Sequence, residues 1–453
     1  MQINFGAWLK ISALVSSNTT NSFGTMYTTK LAIILLSFAL LSCGPDYTVH
    51  TVETFMGELD DIEKSLQSQL ILAADGDTIL LPEGRYGFSK TLFLEGKRDI
   101  LIQGAGVDKT ILSFRDQLEG AEGLRVSNGR NITLADFTIQ DASGDNIKTN
   151  DVNGIQFINV KSEWTGLPKS ENGAYALYPV MCQNVLIDGC VAIGASDAGI
   201  YVGQSRNVIV RNSVAYNNVA GIEIENTIDA DVYNNESYDN TGGILVFDLP
   251  GLSQLGRNVR VFENNIHDNN YSNFAPPGNI VGSVPPGTGM MVLASKNVEV
   301  FDNEIRNNKT AGVALISYLF VEATSETAEE NSYQSDADYD PYPSAISIYD
   351  NEFSNTHSLP TFESDIGFLL LTKFWFNQPE IIYDGIVDPK LASNEGLLPP
   401  EKAICVRGNG DAGFTNLDAF NDFENLSEDI APYDCTLENL SPVVLEKQLM
   451  ASE

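Results

Sequence analysis

The sequence predicts an all-β chain wound into a single-stranded right-handed parallel β-helix with an N-terminal capping helix. Three observations predict it. First, a block of about 22 residues recurs. Gly199 opens GIYVGQSRNVIVRNSVAYNNVA, Gly221 opens GIEIENTIDADVYNNESYDNTG and Gly243 opens GILVFDLPG; after an insertion Gly289 opens GMMVLASKNVEVFDNEIRNNKTA, and Gly312 opens a further copy. A fixed period in the twenties marks a solenoid whose units bury their apolar faces on one another. Second, the apolar alternations are short (Ile200 and Val202, Val208 and Val210) and are split by Gly and Asn corners. They read as strands and turns, three short strands to a coil. Leucine-rich repeats share the period but need a Leu ladder and a fixed Asn, where this chain has Val/Ile pairs. Third, Asn235, Asn264 and Asn303 each fall six positions after Asp229, Asn258 and Asn297. Parallel coils stack about 4.8 Å apart. A constant offset therefore predicts an amide ladder at one turn, each side chain bonding the coil above and below.

Taken in order, the chain opens with a segment that reads as an address. Met26 to Lys30 precede an apolar run, LAIILLSFALLS, that ends at Cys43. The run is too short to span a bilayer as a mature helix, and its parts are those of an export signal. Leu40-Leu41-Ser42-Cys43 resembles the lipobox of bacterial lipoproteins. That resemblance implies cleavage before Cys43 and its diacylation, with Gly44 fitting delivery to the outer membrane. The alternative is a plain secretory signal with Cys43 free. Residues 1–42 are thus expected to be a signal region, 26–42 the lipoprotein signal and 1–25 an upstream mis-start.

Residues 43–56 read as a tether. Residues 57–73 place Leu59, Ile62, Leu66 and Leu70 at helical spacing, a cap that would cover the open strand edges of the first coil. Strands begin at ADGDTILLPEGRYGFSK, and the helix with its coils is expected over 57–377. Residues 378–453, Pro-rich, acidic and less periodic, are expected to be an irregular tail packing on the solenoid. Cys405 and Cys435 lie in that tail, where a disulfide would compensate for weak packing. Cys182 and Cys190 lie within one coil and read as buried small apolar residues.

Acidic residues number 61 and basic ones 26, for a net charge of −35. That excess argues against a nucleic acid or an anionic membrane surface as partner. Any contact with membrane is expected only through the lipid anchor. A polyanionic ligand would need a local basic patch or bound cations.

Four insertions (163–175, 248–257, 270–288 and 318–344) fall at the two corners flanking the Gly-led strands, where they would wall a groove. Strand alternation turns a strip of side chains toward that groove: Lys148, Tyr178, Tyr201, Glu223, Glu225, Phe247 and, at a corner, Asp248. Aromatic faces stack on sugar rings, and carboxylates bond hydroxyls or transfer protons. Glu223 and Glu225, two residues apart on one strand face, would stand about 7 Å apart. That gap falls within the range for the two carboxylates of inverting glycosidases. Lys148, Tyr178, Tyr201, Phe247 and Asp248 are the expected substrate contacts. Solvated surface is the plainer alternative for the two glutamates.

The repeats resemble the β-helix shared by pectate lyases, polygalacturonases and mannuronan epimerases, and NSVAYNNVAGIEIEN is similar to the epimerase repeats. The epimerases' catalytic Asp-Pro-His has no counterpart here. Tyr201, Val202 and Gly203 hold those positions, with Ala198 in the place of the preceding Tyr. The paired Asp clusters of polygalacturonases are not evident either. ICVRGNGDAGFTNLDA with Asp434-Cys435 resembles the C-terminal signature of exported or lipidated bacterial β-helix repeat proteins of the pectin-lyase-like kind, a family without an assigned activity.

Other candidates are thinner. His50, His267 and His357 are scattered and read as surface or corner residues. Asp336, Asp338 and Asp340 alternate as in a calcium loop but lack its Gly and its twelfth-position Glu. No cofactor and no metal site is expected, with Ca²⁺ the one ion that loop could take. Tyr318, Tyr333, Tyr339 and Tyr342 would either touch a glycan or pin their own insertion.

The expectation is a β-helix lipoprotein of the bacterial cell envelope that binds or processes a polysaccharide over the Gly-led sheet. Any catalysis would be lyase-like or glycoside-hydrolase-like. The rival is a non-enzymatic structural or protein-binding solenoid, with another envelope protein as partner.

Overall fold

The computed structural model describes residues 49–51, 59–324, 333–355, 359–363, 365–375, 377–394, 396–421 and 423–446. These lie within one compact unit, Tyr47–Glu453. The expected signal region, Cys43 and His357 lie outside the described residues.

Among the described residues the strands form three sheets of 12, 11 and 10 strands. Their pairing is parallel throughout, each strand with its counterpart one coil away: Ile200 pairs with Ile222, Ile222 with Ile244, Ile244 with Met290 and Met290 with Val313. The chain is the parallel β-helix that the repeat predicts. Ile200, Val202, Val208 and Val210 all point inward and are fully buried. Each stands above like residues, so one core runs through every coil. Burying an Ile or Val side chain contributes about 1.5–3 kcal/mol.

The corners explain the sequence signature. Asn207, Asp229, Asn258 and Asn297 adopt positive φ of 54°, 61°, 61° and 52°, a region that Asn and Asp tolerate better than other non-glycine residues. Beyond them runs the amide ladder. Asn235 Nδ2 donates to Asn264 Oδ1 (3.0 Å), Asn264 to Asn303 (2.9 Å), Asn303 to Asn351 (2.9 Å) and Asn351 to Asn409 (3.0 Å). A second ladder, not anticipated, joins Asn218, Asn240, Asn269 and Asn308. This second ladder accounts for the glycines. A Cβ on Gly199 would lie 2.7 Å from the Asn218 amide and 2.9 Å from the Gly221 carbonyl; a Cβ on Gly221 would lie 2.2 Å from Ser237 Oγ.

The cap helix is Leu59–Leu72, with Leu66 and Leu70 buried as its spacing predicts. Two boundaries differ from expectation. Val49–Thr51, inside the expected tether, pairs in parallel with Thr78–Leu80. The coils also continue past residue 377. Ile381–Tyr383 and Phe414–Asn416 extend the Gly-led sheet, and Ile404–Arg407 extends the sheet beside it. Long interruptions between these strands had hidden the period. The Cys405–Cys435 disulfide is present, and Cys182 and Cys190 are buried free thiols. Beyond Cys435 the chain crosses the outer face of the second sheet, where Val443 N–H donates to Asp231 (3.0 Å).

The main departure concerns the groove. From Tyr201 onward, the outer face of the Gly-led sheet is sealed. Val281 and Val284 from one insertion, and Tyr318, Phe320, Val321 and Tyr339 from another, pack with Leu245, Phe247, Met291 and Ile316 into a second apolar core. The insertions close over the sheet instead of walling a trough, because their own apolar residues bury more surface lying down than standing up.

Candidate functional site

The open end of the sealed face is where the predicted strip converges. Lys148 pairs with Tyr178, and the register places Tyr178 level with Tyr201, which pairs with Glu223. Gly203, two residues along, pairs with Glu225. A Cβ on Gly203 would lie 2.4 Å from the Tyr201 ring. Its absence lets that ring lie across the neighbouring position, and the Tyr201 hydroxyl thereby donates to Glu225 Oε1 at 2.5 Å. Gln204 Nε2 donates to the same oxygen at 3.2 Å.

Glu223 is bonded elsewhere. Its carboxyl is hydrogen-bonded to Asp197, which occupies the corner before the strand Ala198–Gly203. Asp197 Oδ2 accepts from the Tyr175 hydroxyl (3.3 Å) and from Asn279 Nδ2 (3.2 Å). Apart from the bond between the two carboxyls, Asp197 Oδ1 and Glu223 Oε2 are buried with no hydrogen-bond partner among the described residues. Glu223 and Glu225 are therefore not an acid and base facing each other across an open gap. Each belongs to a separate pair, Glu223 with Asp197 and Glu225 with Tyr201.

Burial dominates the electrostatics. Glu223 is 1% exposed, Asp197 6% and Glu225 8%. Loss of solvent, and then the charge of neighbouring carboxylates, pushes Asp197 and Glu225 up to about 7 and Glu223 well above its ordinary value. Burial also raises the Tyr175 and Tyr201 hydroxyls. Groups poised near neutrality are what proton transfer requires. Because two like charges cannot both ionise while hydrogen-bonded, the Asp197–Glu223 pair holds a proton in common.

Tyr175, Tyr178 and Tyr201 form a triangle with ring centroids 4.4, 4.4 and 5.0 Å apart. Tyr175 and Tyr178 are half-buried, while Tyr201 is covered. Lys148 Nζ lies 4.6 Å over the Tyr178 ring and 4.0 Å from Asp145, whose carboxyl burial pushes up to about 6. Lys148, Tyr175 and Tyr178 are the partly exposed residues at this end of the sheet.

The remaining expected site residues serve the second core. Phe247 is buried in it. Asp248 accepts the Gly256 N–H at 2.6 Å, and its carbonyl accepts the Tyr339 hydroxyl at 2.6 Å. Tyr339 thus pins its own insertion, and Tyr318 packs edge-on against it at 5.5 Å. Asp336 caps Gly251 and Asp338 N–H groups, while Asp340 faces Lys296. His267 sits on the third sheet between Glu236 (3.2 Å) and Asp268 (2.9 Å), remote in register from the cluster.

Sequence reasoning missed Asp197, Tyr175, Gln204 and Asn279. Asp197 and Gln204 bracket a Gly-led strand and were findable as polar corner residues. Asn279 belongs to an insertion 82 residues away from Asp197 and carried no local signal.

Matches to the family described as "Right handed beta helix region" span residues 100–248 and 154–328, which together make up about half of the chain. No curated protein matches it. Several solved structures are similar in fold. The mannuronan C-5 epimerase A-module of Azotobacter vinelandii is 17% identical with a TM-score of 0.45, covering 74% of this chain and 89% of that one. The DFA-IIIase of Arthrobacter chlorophenolicus A6, solved without its lid in complex with GF2, is 10% identical with a TM-score of 0.44, covering 81% and 100%. Tailspike protein 2 of the Escherichia coli O157:H7 bacteriophage CAB120 is 10% identical with a TM-score of 0.49, covering 83% and 44%. At these identities no residue role passes from them to this chain.

Proposed function

The chain belongs to the right-handed beta helix family, and we propose that it uses this scaffold to bind and process a polysaccharide at the cluster of Asp197, Glu223, Glu225 and Tyr201. The observation that carries the reading is the juxtaposition of that cluster with the Tyr175–Tyr178 shelf. Aromatic rings that are only partly buried suit sugar rings. They lead directly to carboxyls whose titration burial raises to neutrality or above. In this reading the shelf binds the chain, the Asp197–Glu223 pair supplies a proton, and Tyr201 with Glu225 accepts one. Hydrolysis and lyase-type elimination both need such a pair.

The test incubates the protein with a broad panel of polysaccharides and follows both ultraviolet absorbance and reducing ends. Turnover that falls by roughly a hundred-fold in Glu225→Gln and Asp197→Asn supports the reading. No turnover together with no binding by affinity electrophoresis overturns it. A second reading has its own observation. The sealed face over Leu245 and Phe247 is what a purely structural or protein-binding solenoid would show, and this reading predicts a stable envelope-protein partner in a pull-down.

Export and lipid tethering at Cys43 belong to the same proposal. Their support is the apolar run and LLSC in the sequence. Radiolabelled palmitate should enter the full chain in bacterial cells and be lost in Cys43→Ala.

A further inference from the structure

The insertion 270–288 contains no Asp, Glu, Lys, Arg or His. It rests on the Gly-led sheet through Val281 and Val284, both buried. Its shape is fixed from within, for Asn273 Nδ2 donates to the carbonyls of Val281 (2.9 Å) and Val284 (3.0 Å). Asn270 is occupied with the Asn307 carbonyl and Ser272 with Glu363. Asn279 is the side chain this insertion extends to the acid cluster, and its amide meets Asp197 Oδ2.

We propose that Asn279 is a positioning residue that, with Tyr175, holds Asp197 as the ionised member of its pair and leaves the shared proton on Glu223. The inference rests on the cluster being the reactive site. Its logic is a count of donors. Asp197 Oδ2 receives two, the Tyr175 hydroxyl and the Asn279 amide. Hydrogen bonds to a carboxylate favour its charged form. Glu223 has Asp197 as its hydrogen-bond partner. Glu223 must therefore donate, and Asp197 must accept. The other ionisable groups whose charge reaches Asp197 are Glu225 and Tyr178, both acidic in type, so neither supplies a cation to hold the charge. The insertion thus does more than cover the sheet. It sets which carboxyl is the acid.

The experiment titrates the side-chain carboxyls of the protein by carbon-13 NMR, assigned with Asp197→Asn and Glu223→Gln, in wild type, Asn279→Leu and Asn279→Ser. In wild type the Asp197 signal should titrate near pH 7 and the Glu223 signal at a clearly higher pH. In Asn279→Leu the Asp197 midpoint should rise by about one unit, as loss of one hydrogen bond to a carboxylate predicts. Asn279→Ser, which retains a donor, should restore part of the difference. Where turnover is measurable, the limb of the kcat profile that reports Asp197 should move by the same amount with KM little changed. An unaltered Asp197 titration in a folded Asn279→Leu protein overturns the proposal. Because this arm needs no substrate, it stands apart from any failure to find turnover.

Discussion

The Tyr201 hydroxyl reaches Glu225 one coil on and two positions along the strand, although its own register partner is Glu223. Gly203 makes that diagonal possible, since a side chain there would occupy the space of the ring. The two glutamates consequently have different partners and different chemistry.

Gly203→Ala should therefore mimic Tyr201→Phe. Each should reduce turnover by roughly a hundred-fold, the size of a lost acid–base contribution, and near-ultraviolet circular dichroism should show the ring displaced only in Gly203→Ala. Full activity in Gly203→Ala would mean the diagonal bond has no catalytic part.

The amide ladder should be costly to break. Asn264 Nδ2 donates to the Val232 and Phe262 carbonyls and to Asn303, while its Oδ1 accepts from Asn235. Asn264→Ala leaves several buried groups unpaired, and at 1 kcal/mol or more for each the loss should be about 3 kcal/mol. Denaturant unfolding with an unchanged m-value would measure it.

Cys405 and Cys435 are separated by 30 residues. Closing a loop of that length restricts the unfolded chain by about 3–4 kcal/mol. A Cys405→Ser, Cys435→Ser protein should unfold at correspondingly lower denaturant, and wild type treated with reductant should match it.

Buried carboxyls also set a pH dependence. Asp384 is fully buried, accepts the N–H groups of Ser317 and Ile386, and is pushed by burial up to about 7. Its folded value lies above its unfolded one, so the folded state binds the proton more tightly. Stability should then fall as pH rises between about 4 and 7, by up to roughly 4 kcal/mol from this one group at 1.36 kcal/mol per unit. Asp197 and Glu225 act in the same sense. Calorimetry should give a higher Tm in mild acid than at pH about 8, and Asp384→Asn should flatten part of the slope.

Fold and site differed in how far they could be read from the residues. Ile200 with Val202, the glycine heading each coil and the offset of Asn235, Asn264 and Asn303 are local patterns repeated many times, and stacking amplifies them. Alternation likewise placed Tyr201, Glu223 and Glu225 on one outward face. What alternation could not show was that outward is not exposed, because burial there depends on Val281, Val284 and Tyr339 arriving from insertions with no period. Phe247 and Asp248 read as ligand contacts for that reason and serve packing instead. Asp197 and Asn279 meet only after two coils and an insertion have folded, a relation no spacing rule encodes.

The glycine column from Gly199 to Gly312 and the two asparagine ladders give the windings they run through matching edges. A molecule built this way grows or shrinks in steps of one winding. Gain or loss of a whole winding leaves the neighbouring edges complementary, whereas a one-residue change within a strand would turn that strand's interior side chains outward and break its match with the windings on either side. The places where the chain leaves the spiral escape that constraint, and those excursions distinguish this protein from a plain coil.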